Sequence, residues 1–117
     1  MPRAMPAARP ISIAECLVLK RALETCASSP IAESLLTSVD SLIVSSLCEC
    51  GCDTVTFQHL DSGVPHPVIA DSLGDTKAGE SVGLIVFGTE DGVSCLEVYS
   101  FDDVPAKLPT LNSIRGF

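Results

Sequence analysis

The chain predicts an α+β fold, with two N-terminal helices packed on an antiparallel sheet of four to five strands. Three observations carry that prediction. Apolar residues recur at helical spacing in the first third of the chain, and runs of period two fill most of the rest. Turn signals such as Asp91-Gly92 join those runs closely enough for hairpins. Helices first and strands afterwards is the order expected when helices cover one face of a sheet.

The elements follow in order. Residues 1–10 carry Pro2, Pro6 and Pro10 among alanines and arginines, which predicts a flexible arm ahead of a single domain over 11–117. Ser12-Ile-Ala-Glu15 is a capping box, in which the serine hydroxyl accepts from the Glu15 amide and the carboxylate reaches back to the Ser12 amide. Ile11 is placed to staple onto Cys16. Ile13, Cys16, Leu17, Leu23 and Ala27 are the expected apolar stripe, with Lys20, Arg21 and Glu24 on the wetter side. Ser29-Pro30 offers a second helix start, and Ile31, Leu35, Leu36 and Val39 its buried stripe.

Strands are expected over 42–48, 54–60, 68–73, 82–89 and 93–101. The second alternates Val55, Phe57 and His59 against Thr54, Thr56 and Gln58. The segment 74–80 reads as a polar loop. The tail from Asp102 holds Pro105 and Pro109 and reads as irregular, pinned by Leu108, Leu111 and Ile114.

Composition narrows the function classes. The 117 residues are 46% apolar, with 4% aromatic residues and no tryptophan, so the core is aliphatic. Residues 1–21 carry a net +3 and residues 22–117 a net −11, which gives −8 overall. A surface this acidic repels a phosphate backbone, so nucleic acid is not an expected partner, whereas a basic protein is. The stretch 11–23 is broken by Glu15, Lys20 and Arg21, so neither a leader nor a membrane span is expected. A cytoplasmic protein with mostly reduced cysteines is the corresponding expectation.

The densest chemistry lies in Cys48-Glu-Cys50-Gly-Cys52. Three thiolates at C-x-C spacing can supply part of a zinc site, but the sequence lacks the wider knuckle of most zinc sites. On one extended strand the three side chains share a face, and a turn at Gly51 breaks that alignment. Glu49 and Asp53 disfavour a thiolate, which argues against a nucleophilic or redox cysteine. The plain reading is a turn: cysteine packs as a small apolar residue, and glycine accepts a left-handed backbone. No cofactor is therefore expected, and zinc on Cys48, Cys50 and Cys52 is the alternative.

Those residues also carry a resemblance. Cys48, Cys50, Gly51, Cys52, Thr54, Val55 and Phe57 match a C-x-C-G-C-x-[ST] hairpin. Asp91, Gly92, Leu96, Glu97 and Tyr99 match a later Asp-Gly hairpin, ahead of Pro105 and Pro109. Over about residues 42–109 the chain resembles a group of small bacterial proteins. The group has no established activity, so the resemblance implies a free-standing bacterial domain and no catalytic residue.

Other motifs carry less. Gly79-Glu-Ser-Val-Gly83 fits the G-x-S-x-G pattern, but a loop precedes Ser81, a strand follows it, and His59 and His66 come too early in the chain. His59 reads as half-buried and His66, between two prolines, as exposed. Glu97 shares a face with Cys95 and Tyr99, opposite Leu96 and Val98, which places it on a solvated sheet face. No phosphate-binding loop, calcium loop or H-E-x-x-H occurs. No catalytic residue is assigned and an enzyme is not the leading reading. The expected function is a non-enzymatic protein-binding module, in one version an antidote that neutralises a basic toxin through Glu90, Asp91, Asp102 and Asp103. The alternative is a metal or thiol site on the three cysteines. A homodimer is expected if the strand over 82–87 lies at a sheet edge.

Overall fold

A computed structural model describes residues 2–25, 30–48, 51–57, 67–101 and 105–116. The chain is α+β. Its elements run β1 (Pro2–Pro10), α1 (Ile13–Thr25), α2 (Ile31–Leu35), a 3-10 helix (Leu36–Ser41), β2 (Ile43–Cys48), β3 (Val55–Phe57), β4 (Val68–Asp75), β5 (Ser81–Thr89), β6 (Gly92–Ser100) and a 3-10 turn (Leu111–Ser113). The strands form one sheet in the order β1-β2-β3-β6-β5-β4, with every neighbour antiparallel.

Two features of the expected fold change. The sheet has six strands rather than four to five, and the helices are preceded by a strand. The added strand is β1, drawn from the segment read as an arm. It pairs with β2 in two short stretches, Pro2–Ala4 and Arg9–Pro10, with an irregular register between them. Proline has no amide to donate, and an outer strand is the position in a sheet that tolerates it. The three prolines thus fit β1 at the edge and discourage a further strand from adding there.

The expected helix start holds. Glu15 N donates to Ser12 Oγ at 3.1 Å, and Ser12 N donates to Glu15 Oε1 at 2.9 Å. Of the apolar stripe expected on α1, Cys16 and Leu23 are buried, but Ile13 and Leu17 are not. Glu15, Cys16, Val18, Leu19, Ala22 and Leu23 are buried, whereas Ile13 is 80% exposed and Leu17 45% exposed. The reason lies outside the helix: Val18, Leu19, Ala22 and Leu23 pack toward β4 and β5, and the Arg9–Glu15 pair lies at the N-terminal end of that side. Ile13 and Leu17 then share the outer face with Lys20, Arg21 and Glu24. In α2 and the following 3-10 helix, Ala32, Leu35 and Val39 are buried, with Ile31 and Leu36 packed against them. Ala27 and Ser29 lie outside the described residues.

Strand alternation sorts the sheet into two faces. Val55 and Phe57 on β3, Val82, Leu84 and Val86 on β5, and Leu96 and Val98 on β6 are buried on the core face. The helices lie over β4 and β5, where β4 presents Ala70, Ser72 and Gly74 to the core. Small side chains at those positions let the covering layer approach closely, and a Cβ at Gly74 would come within 2.6 Å of Pro109. The alternate set, including Ile85, Phe87, Cys95, Glu97 and Tyr99, remains half-exposed on the other face. Strand β5 lies between β6 and β4, so the 82–87 segment is internal and offers no edge for dimerisation. The β4 edge is covered instead by the tail, where Leu73 and Arg115 exchange two backbone hydrogen bonds of 2.8 Å. Within that tail Ile114 is buried and Leu108 half-buried, but Leu111 is exposed.

Candidate functional site

Two places combine charged or reactive side chains with concave or uncovered surface. The first is a cleft of about 270 Å³ lined by residues that include Arg9, Glu15, Leu47, Cys52, Asp53 and Thr54. It brings together β1, the start of α1, the end of β2 and residues 51–55. Gly51 adopts φ +91°, the left-handed backbone expected of it, and Pro105 lies 3.8 Å from where its Cβ would be.

The polar groups around this cleft are engaged by the fold. Arg9 donates to both Glu15 oxygens, at 2.9 and 2.8 Å. Burial alone would raise the Glu15 carboxyl, but the Arg9 pair and the Ser12 amide outweigh it and hold the group below the usual carboxylate range. Asp53 N donates to Ala106 O at 2.8 Å, Leu108 N donates to Asp53 Oδ2 at 2.7 Å, and Lys107 Nζ donates to Gly51 O at 2.9 Å. The Thr54 hydroxyl accepts from Val98 N at 2.8 Å and donates to Val98 O at 3.1 Å. The cysteine turn is therefore a docking point for the C-terminal tail. Asp53, read from sequence only as a neighbour unfavourable to a thiolate, tethers the first part of that tail, whereas Leu73 and Asp75 hold residues 110–115.

That tether is testable. Asp53→Ala leaves the Leu108 amide without its acceptor and is expected to cost about 1–3 kcal/mol. Urea denaturation measures the loss. Limited proteolysis is expected to cut the 105–116 segment faster in the variant than in the parent. An unchanged midpoint and cleavage rate would show that the tail is held elsewhere.

For the cysteines, the structure places Cys52 half-buried at the cleft. Cys50 and the side chain of Cys48 lie outside the described residues, as do Glu49, His59 and His66. Among the described residues, no three His, Cys, Asp or Glu side chains are grouped to hold a metal ion. Cys16 is buried on α1, and its thiol donates to Asp40 Oδ1 at 3.1 Å. Burial, then the Asp40 carboxylate, pushes that thiol's pKa up, which keeps it protonated and inert. The G-x-S-x-G serine opens β5, with its hydroxyl donating to Asp75 Oδ1 at 3.3 Å and strand following it. That arrangement is not a nucleophile elbow, which needs a strand before the serine and a helix after it.

The second place is the sheet face opposite the helices. As the alternation predicts, Glu97 lies there with Cys95 and Tyr99, while Leu96 and Val98 are buried. Phe101 continues the alternation beyond β6 and is 59% exposed. It meets the Tyr99 ring edge to face, with centroids 5.5 Å apart. Val68, opposite Phe87, is also exposed. Glu90 and Asp91 are exposed at the β5–β6 turn, at one end of the same strands, and Asp102 and Asp103 lie outside the described residues. Sequence reasoning located Glu97 but missed Asp71, which only the strand register brings beside it, and Phe101, which the alternation of residues 95, 97 and 99 could have signalled.

No helix among the described residues is long and apolar enough to cross a membrane. Comparison with protein-family models, with curated proteins and with solved structures gives no match.

Proposed function

We propose that this chain is a non-enzymatic protein-binding module whose partner is a basic protein. The observation that carries the reading is the sheet face opposite the helices, where Tyr99, Phe101, Phe87 and Ile85 remain accessible beside Asp71 and Glu97. Aromatic side chains within a polar surround are the usual composition of a protein interface, and a chain of net charge −8 steers cationic partners toward it. The exposed Glu90 and Asp91 extend the negative field along the same strands, and Asp102 and Asp103 add to it by charge. An antidote that neutralises a basic toxin is one form such a module takes.

The test is a purified interaction. The chain, immobilised, is expected to retain a basic protein at low salt and release it at high salt, and the pair is expected to re-form as a defined complex in size-exclusion chromatography. Converting Glu90, Asp91, Asp102 and Asp103 to their amides is expected to slow association more than it speeds dissociation, as rim charges do. Retention with unchanged salt dependence in the amide variant would remove these acids from the interface.

A further inference from the structure

The sheet face carries a feature more specific than its overall charge. Asp71 pairs with Ile85 across β4 and β5, and Ile85 pairs with Glu97 across β5 and β6, so the three stand side by side in one row. With strands about 4.8 Å apart, the two acidic residues are roughly 10 Å apart at the backbone, with the Ile85 side chain as the floor between them. The row containing Leu73, Gly83 and Tyr99 runs beside it. Gly83 has no side chain, and the Tyr99 ring lies across it: a Cβ at Gly83 would collide with Cζ, Cε1 and the hydroxyl of that ring. Phe101 braces the ring edge to face. Glycine at 83 thus lays the tyrosine flat over the sheet, next to the two carboxylates.

No ion pair among the described residues reaches Asp71 or Glu97, and Asp71 Oδ1 is shielded from solvent without accepting a hydrogen bond. The Tyr99 hydroxyl is pushed up by burial first and then by the Asp71 and Glu97 carboxylates, so the three groups share one local field.

We infer that this row is the receptor for an arginine side chain of a basic protein partner, with the guanidinium donating to Asp71 and Glu97 while its plane lies against the Tyr99 ring. The chemistry selects arginine over other cations. Its planar fork has five donors and can serve two carboxylates at once, and it stacks on an aromatic face, whereas an ammonium is a compact, strongly hydrated point charge. A guanidinium covered on one side by an aromatic ring and held by two acids is the type of anchor that dominates interface energetics. The inference rests on the protein-binding reading above and gives it an anchor.

Tyr99 is the single tyrosine and the chain has no tryptophan, so intrinsic fluorescence reports this row alone. The probe is the tripeptide acetyl-Gly-Arg-Gly-amide, with the uncharged, nearly isosteric citrulline peptide as control. A saturable change in tyrosine emission is expected with the arginine peptide and none with the citrulline peptide. The double variant Asp71→Asn, Glu97→Gln, shown by circular dichroism to be folded, is expected to bind at least about tenfold more weakly, because charge-assisted bonds become neutral ones. Equal responses to the two peptides, or equal affinity in the double variant, would overturn the arginine site. A basic protein that binds the parent and the Asp71/Glu97 double variant alike would also overturn it, yet leave the protein-binding reading intact.

Discussion

Leu19→Ala is expected to be among the most damaging single substitutions in this chain, at about 2–5 kcal/mol. Leu19 is fully buried on α1, beneath which lie the small side chains of β4 and the aliphatic stripe of β5. Truncation removes its burial and leaves a cavity that a packed layer closes only partly. A domain of this size has about 5–15 kcal/mol of stability in total, so the loss lowers the melting temperature by many degrees. The informative comparison is Ile13→Ala on the same helix. Ile13 is exposed, and alanine has the higher helix propensity, so the change is expected to stay within about 0.5 kcal/mol. Guanidinium denaturation of the two variants reads the orientation of α1 directly. Equal losses, or a larger loss at Ile13, would show that the helix buries the stripe that its apolar spacing first suggests.

Glu15→Gln is the second large effect, expected at about 1–3 kcal/mol. The substitution keeps the shape but removes the charge that receives both Arg9 nitrogens, and it weakens the capping bond from Ser12. It also loosens the attachment of β1, since Arg9 joins that strand to α1. The pH dependence has a definite sign. The folded carboxyl lies below its unfolded value, so its stabilising contribution is complete above the unfolded pKa of about 4.3 and is lost as pH falls through the lower folded value. The parent is therefore expected to lose stability on acidification in that window, and Glu15→Gln to lose less of it. Melting temperatures measured across that range test the point, and parallel curves for the two proteins would contradict it.

Where local chemistry dominates, the sequence reads directly into structure. The capping box, the Gly51 turn, the Asp91-Gly92 hairpin and the alternation of Val55 and Phe57 all form as their residue types imply. Each depends on groups within a few residues of one another. The misjudged features depend on distant partners. β1 has no apolar pattern because an edge strand can be held by its backbone bonds to β2, and proline content hides it. The stripe on α1 is ambiguous because apolar side chains lie on two of its faces, and packing on β4 and β5 decides between them.

The candidate site divides in the same way. Glu97 and Tyr99 are legible as one face of a strand from alternation alone. That Asp71 stands two strands away, in the same row as Glu97, follows from the registers of two successive strand pairs, Asp71 with Ile85 and Ile85 with Glu97. The absence of a side chain at Gly83 acquires meaning only once Tyr99 is seen to occupy its space. By itself the sequence determined an acidic α+β chain with helices over an antiparallel sheet, because periodicity, capping and turn chemistry are local properties. Tertiary structure alone decided the six-strand order, the side of α1 that is buried, the docking of the tail on Asp53 and the placing of Asp71 and Glu97 in one row on either side of Ile85. Each of these depends on how separate elements pair or pack, and the energy that selects it exists only when the sheet and its covering layer have assembled.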